Sequence, residues 1–308
     1  ITFEDVVFRG NTAIGNGGAI CVKDANGYEL KFVNVVFIDN KAKNGGAISF
    51  HGSLKAVLIS IHATNNVATT SGGAFYAVAD TMGGRPALTI RYSTLDHNRA
   101  ETGDGGGIFL SSGDMTVLNS TLRGHEAKKN GGAVSLLSAI TSFQGTTLSN
   151  NKASTGNGGA IVGMASSITL ASAMIKGNTA KLSGGGLWVL VSHLTLTDGT
   201  TVQDNEAENE NGGGIVGLTQ STVLLHNKVS VAFNKAPKGE GGGLMIEGCE
   251  SVAVTSSTFD SNTALKGGCI SVQNMKEPAT ASLGGGSTVL FSNCSSTFEG
   301  GALHVYES

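Results

Sequence analysis

The chain has 308 residues, 40% of them hydrophobic and only 14% charged, with 46 Gly and 3 Pro. Its formal net charge is −3 without a basic stripe, which excludes the electrostatic footprint of nucleic-acid binding. No apolar run approaches the ~18 residues of a membrane span, so this segment is not expected to insert directly into a membrane.

Two markers alternate from the N-terminus onward. One is a glycine pair followed by a small residue and an aliphatic: "GNGGAICV" from Gly15, "NGGAISF" from Asn44, "NGGAVSL" from Asn130 and "NGGAIVG" from Asn157. Its first glycine stands at Gly17, Gly45, Gly72, Gly105, Gly131, Gly158, Gly184, Gly212, Gly241, Gly267 and Gly300, eleven copies ~28 residues apart. The other marker is apolar-x-x-Asn-x-Ala, as in "FRGNTA", "FIDNKA" and "LSNNKA". It supplies Asn11, Asn40, Asn66, Asn98, Asn151, Asn178, Asn205, Asn234, Asn262 and Asn293, with His125 in the remaining slot.

Between the markers lie short alternating segments such as "LTIRYSTL" from Leu88, "SITLASAMI" from Ser167 and "SVAVTSSTF" from Ser251. This period-two, β-branched pattern predicts strands with one buried face. A unit with two or three short strands cannot bury its own apolar face, whereas stacked copies can. The expectation is an all-β fold: one right-handed parallel β-helix of about eleven coils over residues 1–308. Its handedness follows the general preference for right-handed crossovers. Pro86, Pro237 and Pro278 are assigned to loops. The asparagines are predicted to stack as a structural ladder, and Ile48, Ile108, Leu187 and Ile215 to form one buried file. Glycine at the pair meets a demand for positive φ or close backbone approach. The chain begins inside a repeat and shows no capping coil, so it is expected to be a segment of a larger protein.

Of the four cysteines, Cys21 lies about eight coils from the rest, out of bonding reach. Cys269 takes the small slot after the glycine pair. Cys249, Cys269 and Cys294 fall at different repeat phases, which argues against stacked bridging.

The pairing of GGAI with FxxN resembles the repeats of the chlamydial polymorphic outer-membrane proteins, whose passengers are β-helices. Gly17–Ile20, Gly45–Ile48 and Gly158–Ile161 match GGAI, while Gly131–Val134 and Gly300–Leu303 match GGA[ILV]. Phe8–Asn11, Phe37–Asn40 and Phe259–Asn262 match FxxN. The family's translocator barrel is absent from this chain. The resemblance implies an extracellular or cell-surface location and a structural or adhesive role.

Many β-helices are polysaccharide lyases or hydrolases, which need carboxylates converging at one phase of adjacent coils. Asp39 and Asp204 share a slot but lie six coils apart. His51-Gly52 lacks a matching Asp pair, and Glu206, Glu208 and Glu210 form a solvated turn rather than a Ca²⁺ site. No same-phase carboxylate set is found; a non-catalytic chain without metal or cofactor is expected, with a carbohydrate-active enzyme as the alternative. A second alternative is an ice- or mineral-binding face built on Ser93-Thr94, Ser120-Thr121, Thr146-Thr147, Thr200-Thr201 and Ser257-Thr258.

One stripe breaks the usual polarity. If Ile20 and Val22 point inward, the residues between such pairs point out. That slot and the next outward one hold Tyr76, Phe109, Leu137, Val162, Met164, Trp188, Leu190, Val216, Leu218 and Met245. Contiguous apolar area of this kind marks a contact surface. These residues are predicted to pack on another chain or on a flanking segment of the same protein.

Overall fold

The computed structural model describes residues 1–23, 27–275 and 279–307. Among these residues every strand pairing is parallel, and the strands form four sheets that run along the chain. Sheet I contains the eleven strands that follow the glycine pairs, from Ile20–Val22 to Leu303–Tyr306. Sheet II runs from Thr2–Glu4 to Thr280–Leu283 and sheet III from Val7–Arg9 to Val289–Ser292, eleven strands each. Sheet IV has ten, from Lys41–Ala42 to Ser295–Glu299. Among the described residues no helix is long and apolar enough to cross a membrane.

Each coil after the first thus carries four strands, not two or three, and the first carries three. The additional one is often only two residues long, as in Lys152–Ala153, too short to show alternation. Pro86 lies outside the strands, but Pro237 sits inside Lys235–Glu240, where the pairing with the next coil shifts register. A missing N–H is tolerated at such an irregularity. Pro278 lies outside the described residues.

The two glycines of each pair do different work. The first has positive φ in all eleven copies, for example +63° at Gly45 and +68° at Gly184. The second permits close approach: a Cβ on Gly46 would stand 2.2 Å from the Gly73 carbonyl oxygen of the next coil. A second left-handed corner precedes every ladder residue, filled by Gly10, Asn65, Asn150 and their equivalents.

Inside, aliphatics stack in register. Ile48, Phe75 and Ile108 are consecutive partners in sheet I, as are Ile161, Leu187 and Ile215, and all six are buried. Phenylalanines add rungs in the early coils: Phe3 stacks on Phe32 and Phe8 on Phe37, at 5.0 and 5.2 Å between centroids. This continuous core, with the backbone ladders, holds one coil on the next.

Candidate packing surface

At the corner between sheets III and IV the asparagines stack amide on amide. The Oδ1 of Asn98 accepts from both the backbone N–H and the Nδ2 of Asn66, each at 2.9 Å. Asn66 Nδ2 also donates to the Phe37 carbonyl at 3.0 Å. The same rung recurs from Asn11 to Asn40 and Asn66, and from Asn151 through Asn178, Asn205 and Asn234 to Asn262. Each rung satisfies a buried backbone donor that no sheet serves. His125 takes its place by accepting the Asn98 N–H on Nδ1 at 3.0 Å, while its Nε2 is buried without a partner.

Asn293 does not belong to this ladder. It occupies the left-handed corner before it, with φ +51°, and donates to Asp260 Oδ1 at 3.0 Å. The ladder slot of that coil is Cys294, three residues after Phe291, whose Sγ faces the Phe259 carbonyl as an Asn amide would. Cys294 is bonded to Cys269, with Cα atoms 5.4 Å apart. Different repeat phases do not keep them apart, because the small slot of one coil abuts the ladder slot of the next. Gly186 faces Asn205 and Gly243 faces Asn262 in the same way. Cys21 is exposed and free; Cys249 is buried, and burial pushes its thiol up to about 12.

The apolar stripe lies on the outer side of sheet I, but it is not uniformly exposed. Val162, Val216 and Met245 are buried within the chain itself. Tyr76, Phe109, Met164, Trp188, Leu190 and Leu218 are half-buried, and Leu137 is exposed. The alternation of sizes explains this. Tyr76 and Phe109 stack at 5.2 Å between centroids, and Trp188 lies between Val162 and Val216 in register. The first glycine of each pair supplies the floor: a Cβ on Gly158 or Gly212 would strike Val162 or Val216. The apolar face therefore continues over the corner toward sheet II, where Ile140 and Val191 are 59% and 46% exposed.

Polar clusters flank the stripe. At one end Ser49 Oγ and Asn16 Nδ2 lie 2.6 and 3.3 Å from His51 Nε2. At the other, Glu240, Lys266 and Glu299 are in register in three successive coils. The expectation that no same-phase carboxylates exist fails here. All three residues precede a glycine pair, a slot that elsewhere carries Asn, Ser or Asp, so the alignment is readable in the repeat. Lys266 Nζ lies 3.8 and 3.5 Å from the two carboxylates, and His304 bridges them at 3.3 and 3.4 Å. Glu240 further accepts from Ser271 Oγ and Gln273 Nε2. The Glu240 carboxylate is thus held by four neighbours, Lys266, His304, Ser271 and Gln273.

Most of the other acidic candidates are also engaged. Burial would raise the Asp96 carboxyl, but the Arg123 guanidinium and neighbouring His97 hold it below the usual range. Asp39 is exposed at its corner with φ +56°, and Asp204 pairs with Lys176 far along the rod. Glu208 binds Lys181 at 2.6 Å and Glu210 accepts from Ser183. The hydroxyl pairs divide: Ser93, Ser120, Thr146, Thr200 and Ser257 are buried, leaving only their second members outside. The buried ones cap corner backbone, as where Ser120 Oγ accepts the Ser93 N–H.

A coil of four parallel strands, an inward aliphatic file and a corner amide ladder define a β-solenoid. Residues 78–241 match the right handed beta helix region, and the chain belongs to that family. Residues 5–23 and 34–51 match the Chlamydia polymorphic membrane protein repeat, making this a β-helical repeat protein of that type. No curated protein and no solved structure matches it. The repeat family is one of non-enzymatic surface proteins, associated with the outer membrane or cell surface, although β-helices also occur in enzymes.

Proposed function

We propose that the chain is a non-catalytic structural and adhesive rod of a large extracellular, cell-surface protein, and that it packs laterally through the outer side of sheet I. The observation that carries this reading is the half-buried apolar row of Tyr76, Phe109, Trp188 and Leu190, continued by exposed Leu137. Outward positions of sheet III are mostly polar over the same coils, with Thr94, Thr121, Thr147 and Thr201 and a single exposed apolar residue, Met174, so a continuous apolar row is not general to the outer surface. The occupants are other protein chains or flanking segments of the same protein. The Cys269–Cys294 bond favours an oxidising, extracellular setting. Against catalysis stands the full engagement of Glu240 described above.

Trp188 is the only tryptophan, so its fluorescence reports this face alone. Acrylamide quenching in the native assembly should be weaker than in the isolated chain, and Trp188→Ser with Leu190→Ser should disrupt assembly. Full quenching together with unchanged assembly of the double variant would remove the lateral-packing reading.

A further inference from the structure

From the arrangement of residues along this face we infer that its occupant is a second copy of the same chain, docked antiparallel. The inference rests on the lateral-packing reading above and names the partner. Leu137, Met164, Leu190 and Leu218 are consecutive partners in one outward file, and His51 and Glu247 stand toward its opposite ends. A two-fold axis lying in the contact plane, perpendicular to the rod and between Leu137 and Met164, reverses the file onto itself. Leu137 then faces Met164 of the second copy, Val78 faces Leu218, and His51 faces Glu247. In the neighbouring file of sheet II the same axis brings Asp114 opposite His193, while Ile140 meets Ser167. Two apolar pairs meet, with Ser111 opposite Leu190 between them; an imidazole meets a carboxylate in each file, and no like charges are opposed at these positions. An isologous contact requires this self-complementarity.

An independent observation comes from the corner beside the file. Val191 has φ +53° and is 46% exposed, although equivalent corners carry Ser112, Ser138, Ala165 and Gly248. A β-branched residue in the left-handed region is a conformational outlier. Keeping an apolar, branched side chain in solvent at a strained position is accounted for by a contact that uses it.

The test uses disulfide trapping of the 308-residue chain in a Cys21→Ser background. Val78→Cys and Leu218→Cys chains are prepared separately, then mixed and oxidised. The mixture should give at least about tenfold more cross-linked dimer than either variant alone, because each thiol faces the other position. Efficient cross-linking of Val78→Cys with itself would mean a parallel arrangement and would overturn the proposal. So would a monomer at every concentration with no cross-link in the mixture. A monomer whose Trp188 is nonetheless shielded in the larger assembly would overturn the dimer and leave lateral packing intact. Val191→Gly provides a fold control: it relieves the corner, so thermal stability should hold or rise while dimer affinity falls about tenfold. Unchanged affinity in that variant would also count against the proposal.

Discussion

Gly107 and His125 are matched across neighbouring coils: a Cβ on Gly107 would stand 3.0 Å from both Cδ2 and Nε2 of the buried imidazole. The small slot of one coil is the wall against which the next coil's ladder residue packs. Ala133 fills the equivalent slot beneath Asn151, whose amide is smaller than an imidazole ring. Gly107→Ala should therefore cost ~1–3 kcal/mol by overpacking. The penalty should shrink when His125→Asn is present. A double-mutant cycle on urea midpoints checks this, and additive effects would show that the two sites are independent.

His125 also ties stability to pH. Burial lowers its pKa from 6.5 to about 3, so it is neutral in the folded chain. Between those values the unfolded chain binds the extra proton. Stability is thus fully present above pH ~6.5 and is lost as pH falls toward ~3, by up to ~4 kcal/mol. His125→Asn should remove this component and, by supplying a second hydrogen-bonding group, raise neutral stability by ~1 kcal/mol. Denaturant titrations of both proteins at pH 7 and pH 4 measure the difference. An equal acid loss in the two would place the sensitivity elsewhere.

What the sequence made legible were the features that repeat in register. Glycine pairs, ladder asparagines and inward aliphatics such as Ile48 and Ile108 each answer a backbone or packing need that recurs in every coil. The shared fold follows from them directly. Departures arose where a residue's environment is set by the next coil rather than its own. Asn293 satisfies the composition of the ladder marker, yet Cys294 lies at the correct distance from Phe291, and only stacking distinguishes them. Alternation alone points Val162 and Val216 outward, but their burial depends on Trp188 between them and on the glycines beneath. The file of Glu240, Lys266 and Glu299 is visible in the repeat, since all three precede a glycine pair, but the Asn, Ser and Asp that fill that slot in the other coils mask its charge.

The Cys269–Cys294 bond joins positions 25 residues apart and replaces an amide rung. Closing a loop of that length is worth ~3 kcal/mol, within a model that assigns the effect to the unfolded chain. Reduction should accelerate amide exchange in Ser295–Glu299 and Leu303–Tyr306 while leaving coils around Asn178 protected. Cys269→Ala with Cys294→Asn should recover much of the protection, since an Asn in that slot can continue the ladder from Asn262. Exchange that is unchanged on reduction would mean that the remaining backbone ladder alone secures the last coil.

Asn178 offers the sharpest test of the ladder because both neighbours are asparagines. Its Oδ1 accepts from the N–H and Nδ2 of Asn151, and its Nδ2 donates to the Leu148 carbonyl and to Asn205 Oδ1, at 2.9–3.0 Å. Asn178 is buried, so truncation leaves groups that water cannot reach. Asn178→Ala should cost ~2–4 kcal/mol, chiefly from the orphaned Asn151 N–H and the Leu148 carbonyl. Asn178→Asp keeps the acceptor but replaces the donor with a charge, and should be worse at neutral pH than at acid pH, where the carboxyl can protonate and donate. An exposed control, Asn293→Ala at the left-handed corner rather than in the ladder, should cost only ~1 kcal/mol, the strain of Ala at positive φ. Urea unfolding of the three variants ranks them. If Asn178→Ala proved as mild as Asn293→Ala, the amide stack would be a consequence of coil packing and not one of its causes.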